Sequence, residues 1–279
     1  MAPSDAIPFR RLVLDLCTVV GDGAALRAAA ELAHLLRIDL RGLFIEDPAL
    51  SRIAGLPGAR ELRLPLSGWQ ALDAVRIGDE VLQMTARAER LLAEISAAAG
   101  ATSGFEALQG RATEIIAGSD IADILVLAIP RHPGLHPGDG FAERCAAAER
   151  AGLAVLLVPP TPPRRGAIVL TGDDGLPIAT RIAAQIAERA GEELMILLTD
   201  PAQRGAVTDQ VQAAGLAVRG LKFLPEPRAG ISALARVLAG LRARLCVLAY
   251  DAVRDRDMLA LSRVAASADV PVLVMARAA

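Results

Sequence analysis

The sequence runs twice through the same order of segments, and this repetition restricts its fold more than any other feature. Residues 29–47 overlay residues 182–200 without a gap at an offset of 153. Ile124-Leu-Val-Leu-Ala-Ile overlays Leu245-Cys-Val-Leu-Ala-Tyr at an offset of 121. The 32 residues of difference fall after the second strand, where the first copy has a punctuated loop and a long helical stretch and the second has only residues 201–215. The pattern is that of a duplication with a trimmed second copy.

Each copy opens on a short apolar run, at 12–16 and 167–170. An Asp/Gly turn and an Ala-rich helix follow, at 24–37 and 177–190. Leu26, Ala29, Ala30, Ala33 and Leu36 lie on one helical stripe, and Pro177 stands where a helix tolerates it, in the first turn. Further runs at 40–46, 103–108, 124–129 and 154–158, and at 194–198, 245–250 and 270–275, are continuous in their apolar character. Parallel strands covered by helices on both faces read this way. Helices are predicted over 73–99, 112–122, 141–151 and 258–266. The breaker Pro159-Pro-Thr-Pro-Pro-Arg-Arg165 separates the copies, which sets the domains at 1–160 and 166–279. The fold class is α/β, with two tandem open, mostly parallel five-stranded sheets flanked by helices.

Hydrophobic residues make up 53% of the chain but aromatics only 3%, so the core is one of Ala, Leu, Val and Ile. A net charge of −2 leaves no overall footprint for nucleic acid or an anionic membrane. Cys17, Cys145 and Cys246 are odd in number and far apart, which points to no disulfide framework and to a reducing compartment. No run approaches the ~18 apolar residues of a membrane span, and the first eleven residues lack a signal-peptide core. A cytoplasmic protein is expected.

The glycines from Gly134 to Gly140 precede a helix start at Phe141. Bare N–H groups there, with the helix dipole behind them, suit an anion. Arg131, His132 and His136 add charge or hydrogen bonds, whereas Asp139 and the prolines oppose it. His132 and His136 are four apart, but the Pro-Gly sequence around them prevents a helix, so no metal site is expected. Gly172-Asp-Asp-Gly175 admits two readings, an acidic pair for Mg²⁺ or a turn whose carboxylates cap the next helix. The second is preferred, because the only lysine, Lys222, falls at the third strand. Cys17 and Cys246 are read as strand residues without a neighbouring base, and His34 as a packed or surface residue. Trp69 belongs to the loop 48–72, whose Leu, Ile and Pro content marks either a contact surface for a protein partner or a flap folded onto its own domain.

Ala29-Ala-Glu-Leu-Ala33, Asp123-Ile-Leu-Val-Leu-Ala128 and Val270-Pro-Val-Leu-Val274, in this order and in two copies, resemble the universal stress protein family. The resemblance implies the α/β fold above. Because the last strand of this family commonly mediates association, it implies too that the runs at 154–158 and 270–274 lie at the interface between the halves, an intramolecular pseudo-dimer that buries two edges; a homodimer stays open. The resemblance also implies, for many members, ATP bound by a Gly-x2-Gly-x9-Gly-Ser/Thr loop after the fourth strand and an Asp at the end of the first. Here Ala128 takes the first glycine's place, and the second copy has Asp251-Ala-Val-Arg-Asp-Arg-Asp257 without a glycine. The Asp position falls near Cys17, with Asp15 two residues earlier, and near Thr171 in the second copy. If ATP or AMP binds, the implied site is Asp15, Cys17, Arg131, His132, Gly134, Gly138, Asp139 and Gly140, in the first half alone. The resulting expectation is a non-enzymatic stress-response protein. The competing readings are a nucleotide-free interaction module, and, last, a small-molecule hydrolase of the related fold, for which no base and nucleophile are visible.

Overall fold

The computed structural model describes residues 8–18, 23–63, 68–130, 140–161, 164–171, 177–214, 218, 220–225, 231–250 and 257–276. The first half runs β1 (Arg11–Asp15), α1 (Ala24–Leu36), β2 (Asp39–Glu46), α2 (Pro48–Ala54), β3 (Arg60–Arg63), β4 (Gly68–Ala71), α3 (Ala74–Ala99), β5 (Ser103–Gln109), α4 (Ala112–Ala117), β6 (Asp123–Ala128), α5 (Phe141–Arg150) and β7 (Ala154–Val158). The second runs β8 (Ile168–Thr171), α6 (Pro177–Ala190), β9 (Leu194–Leu198), α7 (Arg204–Ala213), β10 (Leu221–Pro225), α8 (Ile231–Gly240), β11 (Leu245–Tyr250), α9 (Met258–Ala268) and β12 (Val272–Ala276).

The two five-strand blocks are joined edge to edge. One sheet runs β10-β9-β8-β11-β12-β7-β6-β1-β2-β5, so each block has the same internal order read outward from the joint. Every pairing within a block is parallel. The joint itself is antiparallel, with Val272 opposite Leu157, Leu273 opposite Leu156 and Val274 opposite Val155. Within their blocks Leu156 and Leu273 are equivalent, being the neighbours of Val126 and Val247. The joint is therefore centred on a pseudo-two-fold axis between Leu156 and Leu273, the self-complementary arrangement of an isologous dimer. The expected interface is present, as direct backbone pairing that removes both edges.

The pleat sorts the core into two layers. Leu12, Leu14, Leu40, Leu156, Leu194 and Leu273 face the side of α1, α3 and α6, while Leu125, Leu127, Val155, Leu157, Val272 and Val274 face the side of α5, α8 and α9. Close approach is specified by small residues. A Cβ on Gly42 would lie 2.7 Å from the side-chain ends of Leu16 and Leu92, so glycine lets both leucines pack over β2 without shifting. At the start of the second half a Cβ on Gly166 would lie 1.9 Å from the Arg242 carbonyl oxygen.

The strand ladders correct the overlay of the copies by one residue. Leu12 and Ile168 neighbour Ile124 and Leu245, so the offset of 121 holds for the fourth strands. Their other neighbours are Leu40 and Leu194, which sets the offset of the helix–strand segment at 154. Ala25, Ala28, Ala29, Leu32 and Ala33 of α1 then fall on Ala179, Ile182, Ala183, Ile186 and Ala187 of α6, all buried. Alanine-rich sequence makes adjacent registers look alike, but a one-residue slip turns every inward side chain outward.

Other differences are local. The loop 48–72 contains α2 and the β3–β4 hairpin; Gly55, Pro57 and Gly58 conceal a pairing whose side chains largely face outward. The hairpin is held to α3 through an ion pair of Glu61 with Arg76, while Asp73 caps that helix by accepting from the Val75 N–H at 3.0 Å. Helix α4 stops before Gly118, shorter than expected. Helix α8 has no counterpart in the sequence reading.

Leu156 and Leu273 are 1% and 0% exposed. Each Leu→Ala change is expected to cost about 2–5 kcal/mol, read from urea denaturation. The double variant should cost less than the sum because the two share one contact; single costs of a few tenths of a kcal/mol would contradict the joint.

Candidate functional site

Strand β1 delivers Asp15 to its carboxyl end, the end at which open α/β sheets take ligands. Leu16–Thr18 then turn as a short 3₁₀ segment, so Cys17 lies outside the strand and is exposed, contrary to the sequence expectation. By the ladders Asp15, and not Cys17, is the counterpart of Thr171. The Cys17 N–H donates to Asp15 Oδ1 at 2.9 Å, and its Sγ donates to the Ile45 carbonyl at 3.2 Å.

Asp15 is 8% exposed. A carboxylate so enclosed needs a charged partner, and Arg144, in α5, donates from Nη1 to Asp15 Oδ2 at 2.5 Å. Burial pushes the Asp15 carboxyl above its ordinary value, against the opposing pull of Arg144 and the Cys17 N–H. Although Cys17 is exposed as a residue, partial desolvation of its sulfur where it meets the Ile45 carbonyl, with Asp15 beside it, pushes that thiol up to about 12. A thiol so placed stays protonated at neutral pH, which argues against a Cys17 nucleophile.

Helix α5 begins at Gly140, which offers no side-chain cap to the first N–H groups. Glu143 in the first turn folds back so far that a Cβ on Gly140 would meet its carboxylate. Of the residues of the implied nucleotide site, Asp15, Cys17 and Gly140 are described, and Arg144 ties the helix that Gly140 starts to the strand that Asp15 ends. Arg131, His132, Gly134, Gly138 and Asp139 lie outside the described residues, as does the turn 172–175. Arg144, Glu143 and Glu149 were not singled out. The one available signal for Arg144 was an aspartate at a strand end, where enclosure demands a nearby cation.

The second half differs at each corresponding position. Thr171 replaces Asp15, and Leu261 stands where Arg144 does; both are 1% exposed, so this copy has no buried ion pair at the place. The start of α9 is closed by two carboxylates. Asp257 accepts from the Leu259 N–H at 2.8 Å, and Glu149 reaches from α5 to accept from the Met258 N–H at 2.5 Å. At the offset of 117 that carries Leu156 to Leu273 and Phe141 to Met258, Glu149 falls on Ala266, whose side chain cannot reciprocate this cap at α5.

Elsewhere Arg11 grips Asp123 with two bonds of 2.7 and 2.9 Å at the amino ends of β1 and β6, a fastening at the opposite end of those strands. His34 is a surface residue whose Nδ1 lies 3.0 Å from the Gly100 carbonyl. Among the described residues no group of three or more His, Cys, Asp or Glu is placed to hold a metal ion, and no helix is long and apolar enough to cross a membrane.

The chain is similar in structure to a universal stress protein from Archaeoglobus fulgidus DSM 4304, over 96% of this chain and 98% of that one, at 13% identity and a TM-score of 0.60. It is similar also to a functionally unknown protein from Pseudomonas aeruginosa PAO1, over 98% and 94% of the two chains, at 17% identity and a TM-score of 0.53. No family model matches the sequence, and no curated protein matches it. These likenesses establish the universal stress protein fold over nearly the whole chain.

Replacing Arg144 by Met strands a buried carboxylate and is expected to destabilise the protein by about 3–5 kcal/mol at pH 8. A carboxyl held above its ordinary value binds its proton more tightly when folded, so stability is recovered as pH falls through that value. The cost of Arg144→Met should therefore shrink between pH 8 and pH 5 in urea denaturation; a cost that grows on acidification would contradict the assignment.

Proposed function

We propose that this is a non-enzymatic tandem stress-response protein of the universal stress type that binds one anion, the phosphate end of an adenine nucleotide such as ATP or AMP, in its first half. The observation that carries this reading is the inequality of two equivalent helix starts. The N–H groups of α9 are taken by Asp257 and Glu149. Gly140 gives those of α5 no side-chain cap, and Arg144 supplies a positive charge one turn along. A phosphate needs such N–H groups together with charge.

The fit is good at the phosphate end and poor at the base end. Both Asp15 oxygens already accept from Cys17 and Arg144, so a base finds no waiting acceptor there. Phosphate binding would displace Glu143 from Gly140 and draw Arg144 partly off Asp15. Three free cysteines accord with a cytoplasmic setting.

A second reading, a nucleotide-free interaction module, is favoured by the apolar surface of α2 and the hairpin, where Ile53, Leu56, Leu62 and Trp69 are 49–61% exposed. Exposed clusters of this kind mark contact surfaces.

A thermal-shift titration with ATP and AMP, with and without Mg²⁺, separates the two, because a ligand specific to the folded state must raise the midpoint. The first reading expects a rise that Gly140→Val abolishes. Asp257→Ala should lower the unliganded midpoint by the roughly 1 kcal/mol of a lost cap yet leave the nucleotide-induced rise intact. No rise with either nucleotide would sink the first reading in favour of the second.

A further inference from the structure

The net charge of −2 conceals a local concentration of arginine. Where the two halves meet on the side of α1 and α6, a groove of about 890 Å³ is lined by Arg27, Arg164, Arg165, Arg189 and Arg244, against two carboxylates, Glu31 and Glu192. Its volume lies in the range of small-molecule sites, which runs from roughly 300 to 1,000 Å³. Leu35 and Ile95 add an apolar wall. The groove shares no side chain with the Asp15–Arg144 pair.

Both carboxylates are engaged. Arg244 reaches from the start of β11 to Glu31 of α1 and, at 3.5 Å, to Glu192 after α6, pinning the halves together. Arg164 pairs with Asp269 at 2.8 Å. Arg27 and Arg165 have no carboxylate partner among the described residues. Arg189 donates from Nη1 to the Leu35 carbonyl at 2.6 Å, and burial together with Arg37 lowers it from its ordinary value. Guanidinium groups gathered in a concave surface repel one another and raise the local potential. Their planar forks match phosphate and carboxylate oxygens.

We infer that this groove binds a small polyanion bearing two or more phosphate or carboxylate groups, held chiefly by Arg27, Arg165 and Arg189. Its residues come from α1, from the segment between the halves and from α6, so the ligand would bridge both blocks and favour their joined state. A flat basic surface would suit nucleic acid; a concave one of this size suits a small molecule.

The test is calorimetric titration of the full chain with inorganic tripolyphosphate. Saturable binding is expected, at least about tenfold weaker in Arg27→Gln/Arg165→Gln and weaker again in wild type at ~0.3 M salt, where exposed charges are screened. Both arginines are exposed, so the variant should keep the circular dichroism and urea midpoint of the parent. Arg27→Lys/Arg165→Lys, which retains the charge, should recover much of the binding. Gly140→Val should leave the affinity within about twofold, because the α5 site is separate. Absence of binding, binding undiminished in the Gln double variant, or binding abolished by Gly140→Val would each overturn the inference. The last would move the anion to the first-half site.

Discussion

Everything in this molecule hangs on one stretch of backbone pairing, the antiparallel contact of β7 with β12. An open parallel sheet exposes an unpaired row of N–H and C=O groups at each edge, and two such sheets present four. Joining them at β7 and β12 removes two and turns the most apolar strands, Ala154–Val158 and Val272–Ala276, into the centre of a ten-stranded sheet. The helices follow from that. Leu156 and Leu273 lie in the same layer as α1 and α6, and the alternate residues Val155, Leu157, Val272 and Val274 lie in the layer of α5 and α9. The seam is thus continuous core on both faces. The remaining edges are unequal: β10 carries Lys222 and ends at Pro225, two features that discourage further pairing, whereas β5 is seven residues long.

The pseudo-two-fold axis relates the backbones closely and the polar side chains hardly at all. At the carboxyl ends of the first strands one copy keeps a buried Asp15–Arg144 pair and the other has Thr171 and Leu261. The neutral version needs no compensating partner, while the charged one is stable only while both members are present. Glu149 adds a directional link, since α5 of the first half caps α9 of the second and Ala266, its counterpart, cannot return the cap. Local chemistry has diverged while the apolar frame has not, because packing constrains volume at every core position whereas a ligand end constrains only a few groups.

The frame was legible because it is written in continuous apolar runs and helical stripes, which report burial directly. The joint was reached through the family resemblance of its last strand, and the physics agrees: Val270-Pro-Val-Leu-Val and Ala154-Val-Leu-Leu-Val are too apolar to be left as edges. What sequence could not settle was register in an alanine-rich helix, where shifts of 153 and 154 bury nearly the same residue types and only the ladder from Leu12 to Leu40 distinguishes them. The hairpin of β3 and β4 escaped because its residues face solvent, and an outward Trp69 carries no burial signal. At the candidate site, Asp15 was reached through the family resemblance and Gly140 through its place before a helix start. Arg144 was not, because its role depends on a contact across 129 residues, and no local pattern encodes which way a long cation reaches.

The centring of the joint on Leu156 and Leu273 has a consequence for assembly. A chain that satisfies its own dimer symmetry internally has used up the surface by which single blocks of this kind would pair. Two such chains cannot associate through the same strands without first opening the sheet. Any homodimer must therefore be built on a second, different two-fold axis through other surfaces, and in symmetry terms it would be a tetramer of blocks related by one approximate axis inside each chain and one true axis between chains.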